Sequence, residues 1–312
     1  MRRLIPAIAL AAALLLPVSA VAAPAPDANL KIEVGNLHGG KAPVYGTVPV
    51  TGSISPFAAR QRVEVDFFLD GKRILSRKVA VQRGKGGAGT FQASIVVRED
   101  GKYAASAKHV TTPALGTAST KRTSWRVSFP ALHAGRCDRV VKGFKVAMAK
   151  LGYAAGAGRC FDGRTGREVL AYRKVNGMSR TERAGAGLVK DVFGGRGGYR
   201  VRYPSAGEHA EVSLGKQVLV LSKGDRPFAI YPVSTGKPST PTVTGHYTFY
   251  RQEPGYNSEG MYYSFYWHNG YAVHGFAEVP NYAASHGCVR TFIADQPRIY
   301  DQLHFGESIF VF

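Results

Sequence analysis

Short apolar runs that alternate with polar residues and break at glycine turns recur along most of this chain. A period of two cannot be satisfied by a helix, so these runs restrict the chain to a largely β architecture. "RVEVDFFLDGKRIL" (62–75) reads as two strands around an Asp70-Gly71 hairpin, and "FQASIVVREDGKYAASAKH" (91–109) repeats the form around Asp100-Gly101. "SWRVSF" (124–129) closes this first set, and the spacing over residues 30–130 predicts an immunoglobulin-like β-sandwich with no catalytic cluster. A second set fills residues 208–312. "HAEVSLGKQVLVLSKGDRPFAIYPVSTG" turns at Lys223-Gly224-Asp225, "MYYSFYWHNGYAVHGF" turns at Asn269-Gly270, and "ESIFVF" supplies a last strand. A short helix is expected between Thr291 and Leu303, with Asp295 in its first turn and Pro297 early enough to be tolerated. The 37 glycines and the 16 Tyr with 16 Phe suit such turn-rich sheets.

Between the two β sets the period changes. In "RCDRVVKGFKVAMAKLGY" (136–153), Val140, Val141, Phe144, Met148 and Leu151 recur at helical spacing. Thr165 followed by Glu168 predicts a capping box for a second helix in "REVLAYRKVNG", and Ser179 with Glu182 predicts the start of a third through Leu188 and Val192. The expected organisation is thus a leader at 1–22, a Pro/Ala linker at 23–29, the sandwich at 30–130, a helical module at 131–205 and a β-rich domain at 208–312.

The leader reads as a secretory signal: Arg2 and Arg3, an apolar run from Leu4 to Leu16, and the small-residue site Ala20-Val21-Ala22. The run is too short for a membrane anchor, and no other stretch is long and apolar enough to span a bilayer. Loss of Arg2 and Arg3 with the leader lowers the formal charge of +20 by two, to +18. In an exported chain that charge points to an anionic cell-wall polymer rather than nucleic acid, though plain solubility accounts for it equally well. Export also means an oxidising compartment. Of the three cysteines, Cys137 and Cys160 are near neighbours, and their pairing would staple the first helix to the loop before the second. Cys288 is left over, and an odd thiol in a secreted chain is either an intermolecular bridge or a reactive group.

Cys288 lies in "ASHGCVR" (284–290). A thiol reacts as thiolate and needs a base or a positive field to become one. His274 and His286 lie upstream, Arg290 adds positive charge suited to a bound carboxylate, and the N–H groups of Gly287 and Cys288 are candidate oxyanion donors. Competing readings are an inert buried thiol and a zinc site drawing on His268, His274 and His286; the latter lacks further ligands at zinc spacing. A nucleophile is favoured, with no metal or cofactor.

Residues 131–205 resemble a three-helix peptidoglycan-binding module through "LGY", "FDGRTG" and "VLAYRKVNG", with the segment carrying Cys160 as a departure from the pattern. The last hundred residues resemble the L,D-transpeptidase catalytic domain of the YkuD family. The resemblance lies in "AEVSLGKQVLVL", "YPVSTGKPSTPTVTG", "NSEGMYYSFYWHNGYAVHG" and the ordered set His274, then Ser285-His286-Gly287-Cys288-Val289-Arg290. It implies a cysteine acyltransferase acting on peptidoglycan stem peptides and forming 3→3 cross-links through a Cys288 thioester. His274 would be the base, the Gly275 carbonyl would orient its second ring nitrogen, and Gly287 and Cys288 would hold the oxyanion. Ser285, His286 and Arg290 would border the substrate, with His286 also a structural member of the motif. Met261, Tyr262 and Tyr263 would wall the cleft, core packing being an equal reading for each. The family's His stands farther from its Ser/Thr than the ten residues between His274 and Ser285, and His268 fits that count better. His274 is preferred because it ends an apolar strand, whereas His268 borders a turn and is expected to be exposed. Hydrolysis by the same site, giving an L,D-carboxypeptidase, and a non-catalytic wall-binding protein remain alternatives. An NlpC/P60-type peptidase fits poorly, because there Cys precedes His and here only His304 follows closely. The implied location is the cell envelope, and the implied partners are stem peptides and glycan strands.

Overall fold

The computed structural model describes residues 25–312, so the expected secretory leader at 1–22 lies outside the described residues. The chain is mostly β, and the described residues divide into two compact units. One comprises residues up to 35 with 49–94 and 104–124; the other comprises 36–48, 95–103 and 125–312.

The first ten strands are β1 (Asn29–Val34), β2 (Lys41–Pro43), β3 (Thr47–Ser55), β4 (Arg62–Leu69), β5 (Lys72–Ala80), β6 (Gln82–Arg83), β7 (Gly89–Val96), β8 (Gly101–His109), β9 (Ala118–Ser119) and β10 (Thr123–Ser128). In the first unit one sheet runs β1-β3-β7-β6, and β4 pairs antiparallel with β5. The β4–β5 turn has φ of 48° at Asp70 and 86° at Gly71, the paired positive angles that a tight hairpin with right-handed twist requires. The Asp100-Gly101 turn departs from expectation. Of its two residues only Gly101 has a positive φ, and β7 and β8 belong to different sheets, so this turn is not a hairpin.

The second unit holds α1 (Arg139–Lys150), α2 (Gly163–Val175) and α3 (Ala186–Phe193). Asp138 caps α1 through the Val141 N–H, and Asp162 caps α2 through the Thr165 N–H and hydroxyl. The expected Thr165–Glu168 capping box is therefore wrong: the helix opens earlier, Thr165 is the residue being capped, and Glu168 is fully buried. The third helix likewise starts later than Ser179–Glu182 suggests, behind Gly185. Cys137 and Cys160 form a disulfide across 23 residues, just ahead of α1 and of the α2 cap. Lys145, buried in α1, adds a second tie by donating to the Cys160 carbonyl and to Asp162 at 3.1 Å each.

Nine further strands complete this unit: β11 (Glu208–Ser213), β12 (Val218–Lys223), β13 (Arg226–Pro232), β14 (Gly245–Thr248), β15 (Arg251–Tyr256), β16 (Tyr262–His268), β17 (Tyr271–Phe276), β18 (Val289–Phe292) and β19 (Ser308–Val311). The short helix α4 (Gln296–Gln302) precedes β19, with Asp295 at its cap. One sheet runs β13-β12-β11-β19-β14 and the other β15-β16-β17-β18. Their inner faces share one core with α4, including Val212, Leu219, Phe265, Val273, Val289 and Ile299. The helices join it through α2. Arg167 makes a buried two-point ion pair with Asp295 at 2.5 and 2.7 Å, and the buried Lys174 donates to the Val233 carbonyl at 2.8 Å.

Candidate active site

The site rests on one parallel strand pair. β17 and β18 align Val273 with Val289 and His274 with Arg290. Side chains alternate along a strand, so Val273 and Val289 enter the core while His274, Arg290 and the preceding pair Ala272 and Cys288 share the opposite face. The Cys288 side chain packs there against Met261, Tyr266 and Ala272. β17 is the neighbour of β18, whereas β16 is one strand farther away. His274 is thus placed beside the thiol-bearing strand. His268 ends β16 and is not the exposed turn residue expected: it is half-buried between the Tyr247 and Tyr271 rings, at 5.0 and 6.0 Å.

His274 is 2% exposed, and its Nδ1 lies 3.0 Å from the Gly275 carbonyl. A carbonyl can only accept, so the proton is assigned to Nδ1 and Nε2 keeps a free lone pair. Burial lowers the imidazole pKa to about 4, against the Gly275 hydrogen bond and aided by the nearby Arg290 charge. Burial pushes the Cys288 thiol up, opposed by the Ala272 N–H and by Arg290. The thiol donates to the Gly270 carbonyl at 3.7 Å. At neutral pH the site therefore holds a neutral imidazole and a protonated thiol, not a preformed ion pair.

A cradle fixes the loop that carries Cys288. Ala284 and Ser285 donate their N–H groups to the Thr235 carbonyl, Lys237 N–H donates to the Ser285 carbonyl, and Ser234 and Arg290 exchange two backbone bonds. The Ser285 hydroxyl donates to the Cys288 carbonyl at 2.6 Å and accepts the Gly287 N–H at 3.1 Å. Two expectations change here. Ser285 is buried and internally bonded rather than placed to hold substrate, and the Gly287 N–H is already used, which leaves Cys288 N–H from the expected oxyanion pair. Gly287 has φ of 117°, and a Cβ there would lie 2.1 Å from the Tyr271 ring. Gly275 is also tightly enclosed: a Cβ there would lie 3.0 Å from Gln296 Cβ, so Gln296 would have to give way by a few tenths of an ångström.

Among the other expected residues, His286 is exposed with Nε2 3.5 Å from Lys237 Nζ, and the Arg290 guanidinium lies 4.0 Å over the Phe276 ring. Met261 adjoins the thiol. Tyr262 stacks on Tyr256 and Tyr263, and Tyr263 meets Tyr300 of α4, so Tyr263 serves the packing reading rather than the cleft. Sequence reasoning missed Thr291 and Gln296. Thr291 Oγ1 donates to the His274 carbonyl at 3.1 Å and bonds Gln296 Oε1, while Gln296 Nε2 donates to the Tyr263 carbonyl at 2.6 Å. No local pattern marks them, since the residues 292–294 between them are half-buried or exposed. Among the described residues no cluster of three or more His, Cys, Asp or Glu is arranged to hold a metal.

This geometry falls inside a family match. Residues 207–311 match the family model described as YkuD, L,D-transpeptidase catalytic domain. Among solved structures, the chain is similar to an L,D-transpeptidase (residues 123–326) from Xylanimonas cellulosilytica. Identity is 26%, the match covers 59% of this chain and 98% of that one, and the TM-score is 0.54. That coverage exceeds residues 207–311 and extends the likeness beyond the family match. An L,D-transpeptidase from Stackebrandtia nassauensis is 21% identical, with 58% and 94% of the two chains covered, at a TM-score of 0.35. No curated protein is a significant match. The buried imidazole, the Cys288 thiol and the loop that holds the thiol all lie within residues 207–311, the stretch that matches the YkuD L,D-transpeptidase catalytic domain.

Proposed function

We propose that this chain is an exported cysteine L,D-transpeptidase that joins peptidoglycan stems by 3→3 cross-links. The observation that carries this reading is the strand register inside the family match: β17 and β18 set a buried His274, held through Nδ1 by Gly275, opposite Arg290, two residues after Cys288, whose side chain packs on Ala272 of β17. His274 Nε2 takes the thiol proton as Sγ attacks the carbonyl carbon of the third stem residue. The Cys288 N–H faces the developing oxyanion. Collapse breaks the bond to the terminal D-alanine, whose amine leaves with the proton from His274, and a thioester remains. The side-chain amine of a second stem then attacks the thioester, giving up a proton through His274 as Cys288 regains its thiol. The neutral resting pair suits this sequence, since the proton moves only when a carbonyl is present to receive the sulfur.

The amino-terminal β unit is read as an immunoglobulin-like spacer and α1–α3 as a peptidoglycan-binding module, which would hold the transferase near its polymer. The cell envelope is the expected location. Incubation with a disaccharide tetrapeptide, read by mass spectrometry, tests the proposal. Dimers lacking one D-alanine and absent with Cys288→Ala support it. Tripeptide alone assigns the same site to hydrolysis, and no conversion overturns both. A carbapenem is expected to add its mass at Cys288.

A further inference from the structure

A cavity of about 600 Å³ lies away from Cys288, between the end of α2, the segment 198–204 and the end of β11. Its volume falls in the range of small-molecule sites. Its walls are of two kinds. Val175, Val201, Tyr199 and Phe312 give an apolar surface with two aromatic rings. The Phe312 ring is fixed from both sides of its backbone, because Phe312 N–H donates to Val212 and its carbonyl accepts from Leu214 at 2.7 Å. Arg200, Arg202 and Lys216 supply three cations, and no Asp or Glu is among the lining residues. Arg202 lies 4.4 Å over the Phe312 ring. Both arginines are exposed, and among the described residues neither Arg200 nor Arg202 forms an ion pair. Lys216 is oriented by its bond to the Val175 carbonyl at 2.6 Å, which uses one of its three donors.

The polar atoms between these walls are specific in kind. Asn176 spends its amide N–H groups on the Tyr172 and Gly197 carbonyls, which leaves its Oδ1 as an acceptor. Ser213, also among the lining residues, carries a hydroxyl that can donate and accept. An apolar wall with ring faces suits the C–H face of a sugar. The amide oxygen and hydroxyl suit its hydroxyl groups, and the two arginines suit a carboxylate in fork geometry.

We propose that this cavity binds a carboxylate-bearing sugar. The site is separate from Cys288 but adjoins its support: Gln217, the residue after Lys216, holds Thr235 through two side-chain bonds, and Thr235 holds Ser285.

The test is calorimetric titration of the full chain with N-acetylmuramic acid, with N-acetylglucosamine, which lacks the lactyl carboxylate, and with inorganic phosphate. The expected result is binding of the first alone, weakened at least tenfold by Arg200→Gln combined with Arg202→Gln. Lys216→Met, checked for folding by thermal melting, gives an independent loss if the double variant fails to fold. No heat with N-acetylmuramic acid at tens of millimolar, equal affinity for N-acetylglucosamine, or unchanged binding in the folded variants each overturns the proposal. Phosphate binding as tight as the sugar acid overturns the sugar class. Carbapenem acylation of Cys288, read in the same preparation, tells failure of this site from failure of the catalytic reading.

Discussion

The His274 imidazole is kept uncharged at neutral pH by its burial, and that state has consequences at two levels. For reactivity, a pKa of about 4 means the imidazole is available as acceptor throughout the neutral range. The rate of Cys288 acylation is therefore expected to show no step near pH 6.5 and to fall only toward pH 4; a midpoint at 6.5 would place the base elsewhere. His274→Ala should lower that rate on the order of 10²-fold, while His268→Ala, one strand farther from β18, should stay near wild type. The reverse ranking would sink the assignment. For stability, the sign follows from proton uptake. Between pH 6.5 and about 4 the unfolded chain binds a proton at His274 that the folded chain refuses, so stability falls as pH drops through that window. The loss is of order 3 kcal/mol for a shift of this size. Urea unfolding at pH 7.5 and 4.5 should show a smaller drop in a folded His274→Gln variant than in wild type. Gly287 is equally constrained, since φ of 117° and the Tyr271 ring both oppose a side chain. Gly287→Ala should abolish acylation while leaving Cys288 present as a free thiol, counted by thiol titration of the unfolded chain.

The strands were legible because alternation reports burial directly. β7 reads as strict in-and-out exposure, and the Asp70-Gly71 and Asn269-Gly270 turns join antiparallel partners. Helix starts were legible only in part. Thr165 and Glu168 have capping-box spacing, but Asp162 outcompetes Thr165 by accepting from both its N–H and hydroxyl, and Glu168 is taken into the interior by packing that no local pattern records. The proposed pair of Cys288 and His274 was drawn from residue type and order. Its supports were not, because Thr291 and Gln296 act through the backbone carbonyls of His274 and Tyr263, contacts set by tertiary register. Asp162 itself supplies a test at this scale. Burial works against its charge, yet the Thr165 bonds and the Lys145 ammonium hold its carboxyl below the usual range. Asp162→Ala removes a cap, worth roughly 0.5–2 kcal/mol, and also strips buried Lys145 of its carboxylate. The expected cost in chemical denaturation exceeds that of Asp138→Ala at α1, whose partner Arg136 is more exposed.

Residues 125–312 belong to one compact unit, and Arg167–Asp295 is an enclosed ion pair between its helical and β parts. Arg167 stands on α2 and Asp295 directly precedes α4, the helix whose first residue, Gln296, supports the active-site strands. The Arg167 side chain is 14% exposed and that of Asp295 5%. A pair this enclosed contributes little net stability over an apolar replacement, but removing one partner leaves the other buried and charged at a cost of about 3–5 kcal/mol. Glu168 worsens that outcome, since burial and then the Asp295 charge raise its pKa well above the usual range, while Arg164 and Arg167 pull the other way. Arg167→Met should therefore destabilise the unit by about 3–5 kcal/mol, and Arg167→Met with Asp295→Leu should recover most of the loss. Urea unfolding at pH 7 measures both. Acylation should follow a different order: the single variant, with α4 pulled by an unpaired carboxylate, should react more slowly than the double variant even under conditions where both are folded. A single variant within about 1 kcal/mol of wild type, the range of an exposed pair, would show that this contact is not what couples α2 to the strands carrying His274 and Cys288.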